Sequence, residues 1–456
     1  MTATAPATRP EADEAAVRPA PLRHGYRFEL LKLVSQWRIR LLLLACWLAP
    51  AVFVAVVSRQ STLPTDTVFG RWMHATGWAG PLVVLAFSCT WALPLLTSLV
   101  AGDVFAAEDR LGTWRHLLVA VRSPRRIFVA KALASLTVIG LFVLGLAVSG
   151  VAGGLAAVGD RPLVGLDGHS LAPADAAATV ALAWVCVLAP TLAFAAVGLL
   201  GSVALGRSPM GLLMPALLAF VLQLAQLLPL PLAVRLALPS QAFIAWRGLF
   251  TGPAQPGPRL AGLAVSLVWA VVATALAYRL FLRRDFTDLA YDGAGRRILV
   301  AAVLPLAVLV ALTGVTAGVA TPAGGSGISR AKLQDSLATN FAHLYRLQAR
   351  ELGRPDVPED RLRATASCDK GGSRVVDEGP GHDWRCVVTW HLPDAGEAVG
   401  RAIYQLDVTA NGRYVADGDG PKEVNGYFQV RTPTGDAPNP LWQFDGNVDL
   451  LASPEG

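Results

Sequence analysis

Long apolar runs alternate with short polar connections along most of this chain. Apolar stretches fall at 41–57, 80–102, 127–152, 176–204, 210–232, 260–282 and 298–319, each close to the roughly 17 to 25 residues that a helix needs to cross a bilayer. Backbone in hydrocarbon has no water to bond, so each run is expected to be a helix that satisfies its own amides and carbonyls. Ahead of the first run, Tyr26 to Arg40 sets Leu30, Leu33, Val34 and Trp37 as an apolar stripe among basic residues, the pattern of a helix lying in the membrane surface. After the last run the periodicity changes. Leu333, Leu337, Phe341, Leu344 and Tyr345 recur at helical spacing over 329–352. Trp384 to His391 and Ala402 to Thr409 read as strands, and Asn411-Gly412 as a hairpin turn leading into Arg413 to Ala416. Gly324-Gly325-Ser326-Gly327 reads as a flexible tether between the last run and this region.

Composition agrees with a chain solvated largely by lipid: 53% of residues are hydrophobic and only 16% are charged, a balance unusual for a soluble domain of this size. The formal net charge is +6, yet the bases flank apolar runs instead of forming a stripe, so they set topology and imply no nucleic-acid partner. One set of connections carries Arg23, Arg27, Lys32, Arg38 and Arg40, then Arg110, Arg115, Arg122, Arg125, Arg126 and Lys131, then Arg207, then Arg279, Arg283, Arg284, Arg296 and Arg297. The opposite connections carry only Arg59, Arg71, Arg161, Arg235, Arg247 and Arg259. The excess of positive charge assigns the first set to the cytoplasm. With seven spans, the region from 321 to 456 is then extracytoplasmic. Residues 1–22, rich in Ala, Pro, Thr and Glu and without an apolar signal core, are expected to be a disordered cytoplasmic tail.

That placement bears on the cysteines. Cys46, Cys89 and Cys186 lie in apolar runs, whereas Cys368 and Cys386 lie in the polar C-terminal region, where an oxidising compartment favours a disulfide between them. His382 and His391 nearby raise a metal site as the competing idea, but the spacing matches no standard zinc pattern, and no metal is expected. Ser367, His382 and Asp383 amount to a chance grouping, not a triad, and no catalytic residue is assigned. Within the spans, Gln223 and Gln226 lie three apart on one helical face and suit either a conduit lining or a dimer interface. Pro190 before Thr191 is placed to kink the fourth span, and Ala195, Gly198, Gly201 and Ser202 permit close helix approach. No acid or Lys sits mid-span, which argues against an ion-coupled carrier.

The connection between the second and third runs reads Gly102-Asp103-Val104-Phe105-Ala106-Ala107-Glu108-Asp109-Arg110-Leu111-Gly112-Thr113-Trp114-Arg115-His116-Leu117-Leu118. Acids lead, bases follow, and Leu111, Trp114, Leu117 and Leu118 recur at helical spacing, which predicts a short amphipathic helix from Glu108 to Leu118. Ser123-Pro124-Arg125 and Lys131 come after it. In this order of residues the chain resembles the permease subunit of type-2 ATP-binding cassette (ABC) exporters. The resemblance implies that Glu108, Gly112, Thr113, Arg115, Leu117 and Leu118 couple the chain to an ATPase subunit. It also implies that Tyr26 to Arg40 is the interfacial elbow, that Pro239 to Arg247 belongs to short extracytoplasmic helices, and that two permease copies or homologues pair. No Walker A sequence is present, so ATP and Mg are expected on the partner subunit and no cofactor on this chain.

The fold class expected from these readings is mainly α: a polytopic membrane protein with a six-helix exporter-permease core, one additional transmembrane helix and a small extracytoplasmic α+β domain. The segments are a tail at 1–22, an elbow at 23–40, the core at 41–284, a linker and seventh span at 285–320, and the outer domain at 321–456. The function expected is that of a non-enzymatic exporter subunit in the plasma membrane. Apolar walls suit a lipid, a hydrophobic drug or an amphipathic peptide better than an inorganic ion. The alternative is a membrane-anchored sensor or accessory protein, in which the loop from Glu108 to Leu118 would be idle.

Overall fold

The computed structural model describes residues 21–60, 68–165, 167–205, 210–225, 230–284, 325–371, 375–391 and 399–452, with isolated positions between them. The chain is mainly helical, with a small sheet domain at its C-terminal end. Helix α1 spans Leu22–Ser35 and ends at Gln36, whose extended backbone turns the chain into α2, Trp37–Val57. Helix α3 runs Ala79–Asp103, and two short helices, α4 (Ala106–Leu111) and α5 (Trp114–Val121), lead to α6, Pro124–Val158. Then come α7 (Pro173–Cys186), α8 (Leu188–Leu205), α9 (Met210–Ala225) and α10 (Pro256–Leu282).

Five helical stretches among the described residues are long and apolar enough to cross a membrane: α2, α3, α6, α7 continued by α8, and α10. Helix α9, on the fifth expected span, has 16 residues. The seventh expected span, 298–319, and the expected tail fall outside the described residues apart from isolated positions. The fourth expected span is interrupted at Val187, where α7 gives way to α8. Pro190 has no N–H for the Cys186 carbonyl four residues back, so the helix breaks one turn before the proline. Close crossing of α2 and α6 depends on Gly153, where a Cβ would come within 2.5 Å of the Ala51 backbone. Outward faces carry Leu44, Val52, Leu144 and Val271 exposed, as a lipid-solvated surface requires.

The C-terminal domain is a five-stranded antiparallel meander, β1 (Thr365–Lys370), β2 (Gly381–His391), β3 (Val399–Val408), β4 (Arg413–Gly418) and β5 (Gln443–Asn447), in that spatial order. Helix α11, Arg330–Glu351, covers one face, with Ser329 capping its first turn. The expected helix, strands and turn are all present; β1 and β5 were not anticipated. Leu333, Leu337 and Phe341 are fully buried against Trp384, Tyr404 and Tyr414, so the stripe read from spacing is the domain's core. Cys368 and Cys386 are bonded; they sit directly opposite each other on β1 and β2, their Cα atoms 4.1 Å apart. Gly412 has φ +86° in the turn joining β3 to β4, a conformation glycine adopts without penalty.

This domain rests on one end of the helical bundle. Leu232 and Leu236, from the connection before α10, join its core. Gln255 at the start of α10 exchanges hydrogen bonds with Asn447, and His343 of α11 lies 3.3 Å from Asp167 in the connection before α7. Helices α4 and α5 lie at the other end.

Candidate functional site: the connection between the second and third spans

The expected single helix from Glu108 to Leu118 is two. Helix α4 ends at Gly112 in the left-handed region, φ +64°, which closes it with a bond from the Gly112 N–H to the Glu108 carbonyl. Thr113 then restarts the chain as α5. A residue with φ > 0 cannot continue a right-handed helix, and glycine adopts it at least cost. The reading that took the apolar spacing as one continuous helix is corrected here: the break redirects α5 so that Trp114 and Leu117 face the bundle and are buried.

The helices are held by paired charges. The carboxylate of Glu108, 1% exposed, accepts from Lys131 at 2.7 Å and also from Lys32 of α1 and the Thr113 hydroxyl. Lys131 reaches Glu29 of α1 at 2.9 Å. Asp103, at the end of α3, accepts from Arg110 at 2.6 Å and from Arg38 at the start of α2. Asp109 accepts from the Trp114 indole at 2.6 Å and from Arg284, just past α10, at 2.9 Å. Burial pushes the Glu108 carboxyl up, but the Lys131 charge and the hydrogen bonds from Lys131, Lys32 and Thr113 prevail and hold it down at about 2. So many partners are what keeps a buried carboxylate ionised.

An aromatic layer continues the site into the bundle. Phe105 stacks on Phe128 at 5.3 Å and meets Phe281 at 5.2 Å, Trp114 lies 5.5 Å from Phe281, and the Arg284 guanidinium sits 5.7 Å from the Trp114 ring. Ser202 of α8 accepts from the Phe105 and Ala106 amides, both at 3.0 Å, supplying the acceptor that the first turn of α4 lacks. The connection is thereby tied to α1, α2, α6, α8 and the end of α10. What it leaves outward is Leu111, Arg115, His116 and Val119, with Leu111 67% and Val119 71% exposed.

The structure thus distributes the expected coupling residues unevenly. Gly112 and Arg115 are exposed, Thr113 and Leu118 half-buried, and Glu108 and Leu117 interior. Sequence reasoning gave Glu29, Asp103, Asp109, Arg284 and Ser202 no role at this site. The legible signal was the cluster of Asp103, Glu108 and Asp109 beside the end of an apolar run, where unpaired acids would be costly.

Gln223 of α9 donates to the Cys89 carbonyl at 3.2 Å; Gln226 lies outside the described residues. Residues Ser88–Ala92 of α3 form a π turn in which the Leu93 N–H bonds the Ser88 carbonyl. The next residue, Pro94, has no N–H, so the Cys89 carbonyl has no donor in its own helix. Gln223 supplies one. No group of three or more His, Cys, Asp or Glu able to hold a metal occurs among the described residues. No protein-family model and no curated protein matches the chain.

Proposed function

We propose that the chain is the membrane-spanning permease subunit of an ATP-driven exporter of the ABC type, paired with a second copy or a homologue and with a separate ATPase subunit that binds ATP and Mg. One observation carries this reading. The connection of α4 and α5 is bound through buried ion pairs to α1 and to the ends of several apolar helices, yet it presents an exposed face of Leu111, Arg115, His116 and Val119. A solvated linker needs no such anchoring. A lever that passes a push from a partner into the spans needs it, because force is transmitted only through a rigid joint.

In this reading α4 and α5 lie in the cytoplasm, in line with the excess of bases there, and the sheet domain lies outside. The contact face differs from the one the sequence suggested. Leu111 and Val119 supply the buried apolar contact, Arg115 supplies charge, and Glu108 acts from within as the positioning residue of the joint. The test is co-purification of the ATPase subunit and measurement of transport-linked ATP turnover. Leu111→Glu and Val119→Glu are expected to abolish both while leaving the melting temperature of the isolated chain unchanged. Full association and coupled turnover in both variants would refute the exporter reading and leave the connection idle, as in an anchored sensor.

A further inference from the structure

At the opposite end of the bundle, where the sheet domain meets the spans, lies a cavity of about 390 Å³, within the range of small-ligand pockets (roughly 300–1,000 Å³). One wall is apolar and comes from the start of α3, with Leu82, Val83, Ala86 and Phe87, joined by Trp246 from the 3-10 turn Ala245–Leu249. The other wall comes from β4 and β5 and carries Arg413 and Asp445, which pair with each other at 3.0 Å. Arg247 faces the same space, and among the described residues its guanidinium donates no hydrogen bond and joins no ion pair. Two guanidiniums and one carboxylate leave the cavity with one uncompensated positive charge. Burial, aided by the Arg413 charge and opposed by Asp445, lowers Arg247 to about 10, so it stays ionised at neutral pH.

We propose that this cavity binds an amphiphile with a single negative charge, its head on Arg247 and its aliphatic body along Leu82, Ala86, Phe87 and Trp246. A guanidinium desolvated without a partner is unfavourable and is relieved by an anion that can accept its N–H groups in parallel. Neutralising one net charge calls for a singly charged head, and Asp445 disfavours more. The apolar wall belongs to a spanning helix, and Phe87 is 59% exposed on that helix, so the cavity opens beside a lipid-solvated surface and suits a ligand arriving from the bilayer. Carboxylate and phosphodiester heads share this chemistry. The inference does not depend on the exporter reading, since it involves neither α4 nor α5.

The test uses the full chain in discs of neutral lipid, titrated with dodecanoate, dodecyl methyl phosphate, dodecanol and dimethyl phosphate. One molecule of dodecanoate or dodecyl methyl phosphate is expected to bind per chain, with dodecanol and dimethyl phosphate at least about tenfold weaker because each lacks one of the two contacts. Tighter binding of dodecanoate identifies a fatty-acid ligand, and tighter binding of dodecyl methyl phosphate a phosphodiester headgroup; either supports the site. Arg247→Gln is expected to weaken the anionic amphiphiles about tenfold, and Ala86→Trp to abolish binding by filling the apolar half. Should Arg247→Gln fail to fold, Ala86→Trp decides alone. No saturable binding, dodecanol as tight as dodecanoate, or unchanged affinity in the folded variants would overturn the proposal.

Discussion

The two ends of the helical bundle treat buried charge in opposite ways. At the α4 and α5 end, Glu29, Asp103, Glu108 and Asp109 are buried, and each meets at least one cation. At the end under the sheet domain, Arg235 is fully buried and Arg247 partly so, and neither guanidinium has a partner among the described residues. A saturated network resists rearrangement, because removing any member strands another in a low dielectric. An unpaired cation does the reverse: it destabilises the resting state and favours whatever anion can reach it. That contrast is the basis on which one end is proposed as a joint and the other as a place of binding.

The sharpest way to break the joint is Glu108→Ala. It strips Lys131 of one of its two carboxylates and removes the acceptor of Lys32 and Thr113, with an expected loss of about 3–5 kcal/mol, measurable by denaturant or thermal unfolding. The sign of the pH dependence follows from the same group. Its carboxyl titrates lower in the folded chain, so its stabilising share is present above the ordinary Glu range and is lost as pH falls through about 2. A Glu108→Ala variant should lose that acid sensitivity together with the stability.

Next in size is the disulfide. Its partners are 18 residues apart in sequence, and replacing both cysteines with Ser is expected to cost about 3 kcal/mol, confined to the sheet domain. An impermeant thiol reagent applied from outside should label Cys368 and Cys386 only after reduction and unfolding of that domain. Labelling without reductant would refute the bond, and labelling solely from the cytoplasmic side would refute the proposed orientation. A smaller change of opposite sign is expected at Arg235. Arg235→Met removes a buried, unpartnered cation and should raise stability by about 1–3 kcal/mol; a lower melting temperature would show that the guanidinium has an anionic partner in the membrane.

The smallest effect concerns how the sheet domain sits on the bundle. Burial disfavours the charged His343 imidazole, but the Asp167 carboxylate 3.3 Å from Nδ1 and the Glu359 carboxylate 3.5 Å from Nε2 hold it above its usual range. A raised folded-state value means that this stabilisation is complete below the ordinary His range and is lost as pH rises through the folded value. Hydrogen exchange in α11 should accelerate across that window relative to its intrinsic pH dependence, and His343→Gln should remove the excess. No difference between the two would place the domain's attachment in its other contacts, Gln255 with Asn447 and Leu232 with the sheet core.

Much of the fold was legible in the chain itself. Apolar run lengths marked out the five described helices long enough to cross a membrane, the extended Gln36 aside, and the spacing of Leu333, Leu337 and Phe341 with the Asn411-Gly412 turn announced the helix and hairpin of the C-terminal domain. These are local signals: periodicity and turn chemistry act over a few residues, and the bilayer sets helix length without regard to sequence order. The disulfide was legible because the expected compartment and the spacing left the two cysteines few alternatives. What tertiary structure decided is which charge meets which. Lys131 with Glu29, Arg284 with Asp109, Ser202 with the start of α4 and Gln223 with the Cys89 carbonyl join residues far apart in the chain, and nothing in their local pattern names the partner. The same holds for Gly112, which reads as one more member of a motif until its left-handed backbone turns Leu117 inward and leaves Leu111 and Val119 outside. Hydrophobic patterning determines which segments leave water, while the pairing of the polar groups carried with them depends on distances that exist only once the helices have packed.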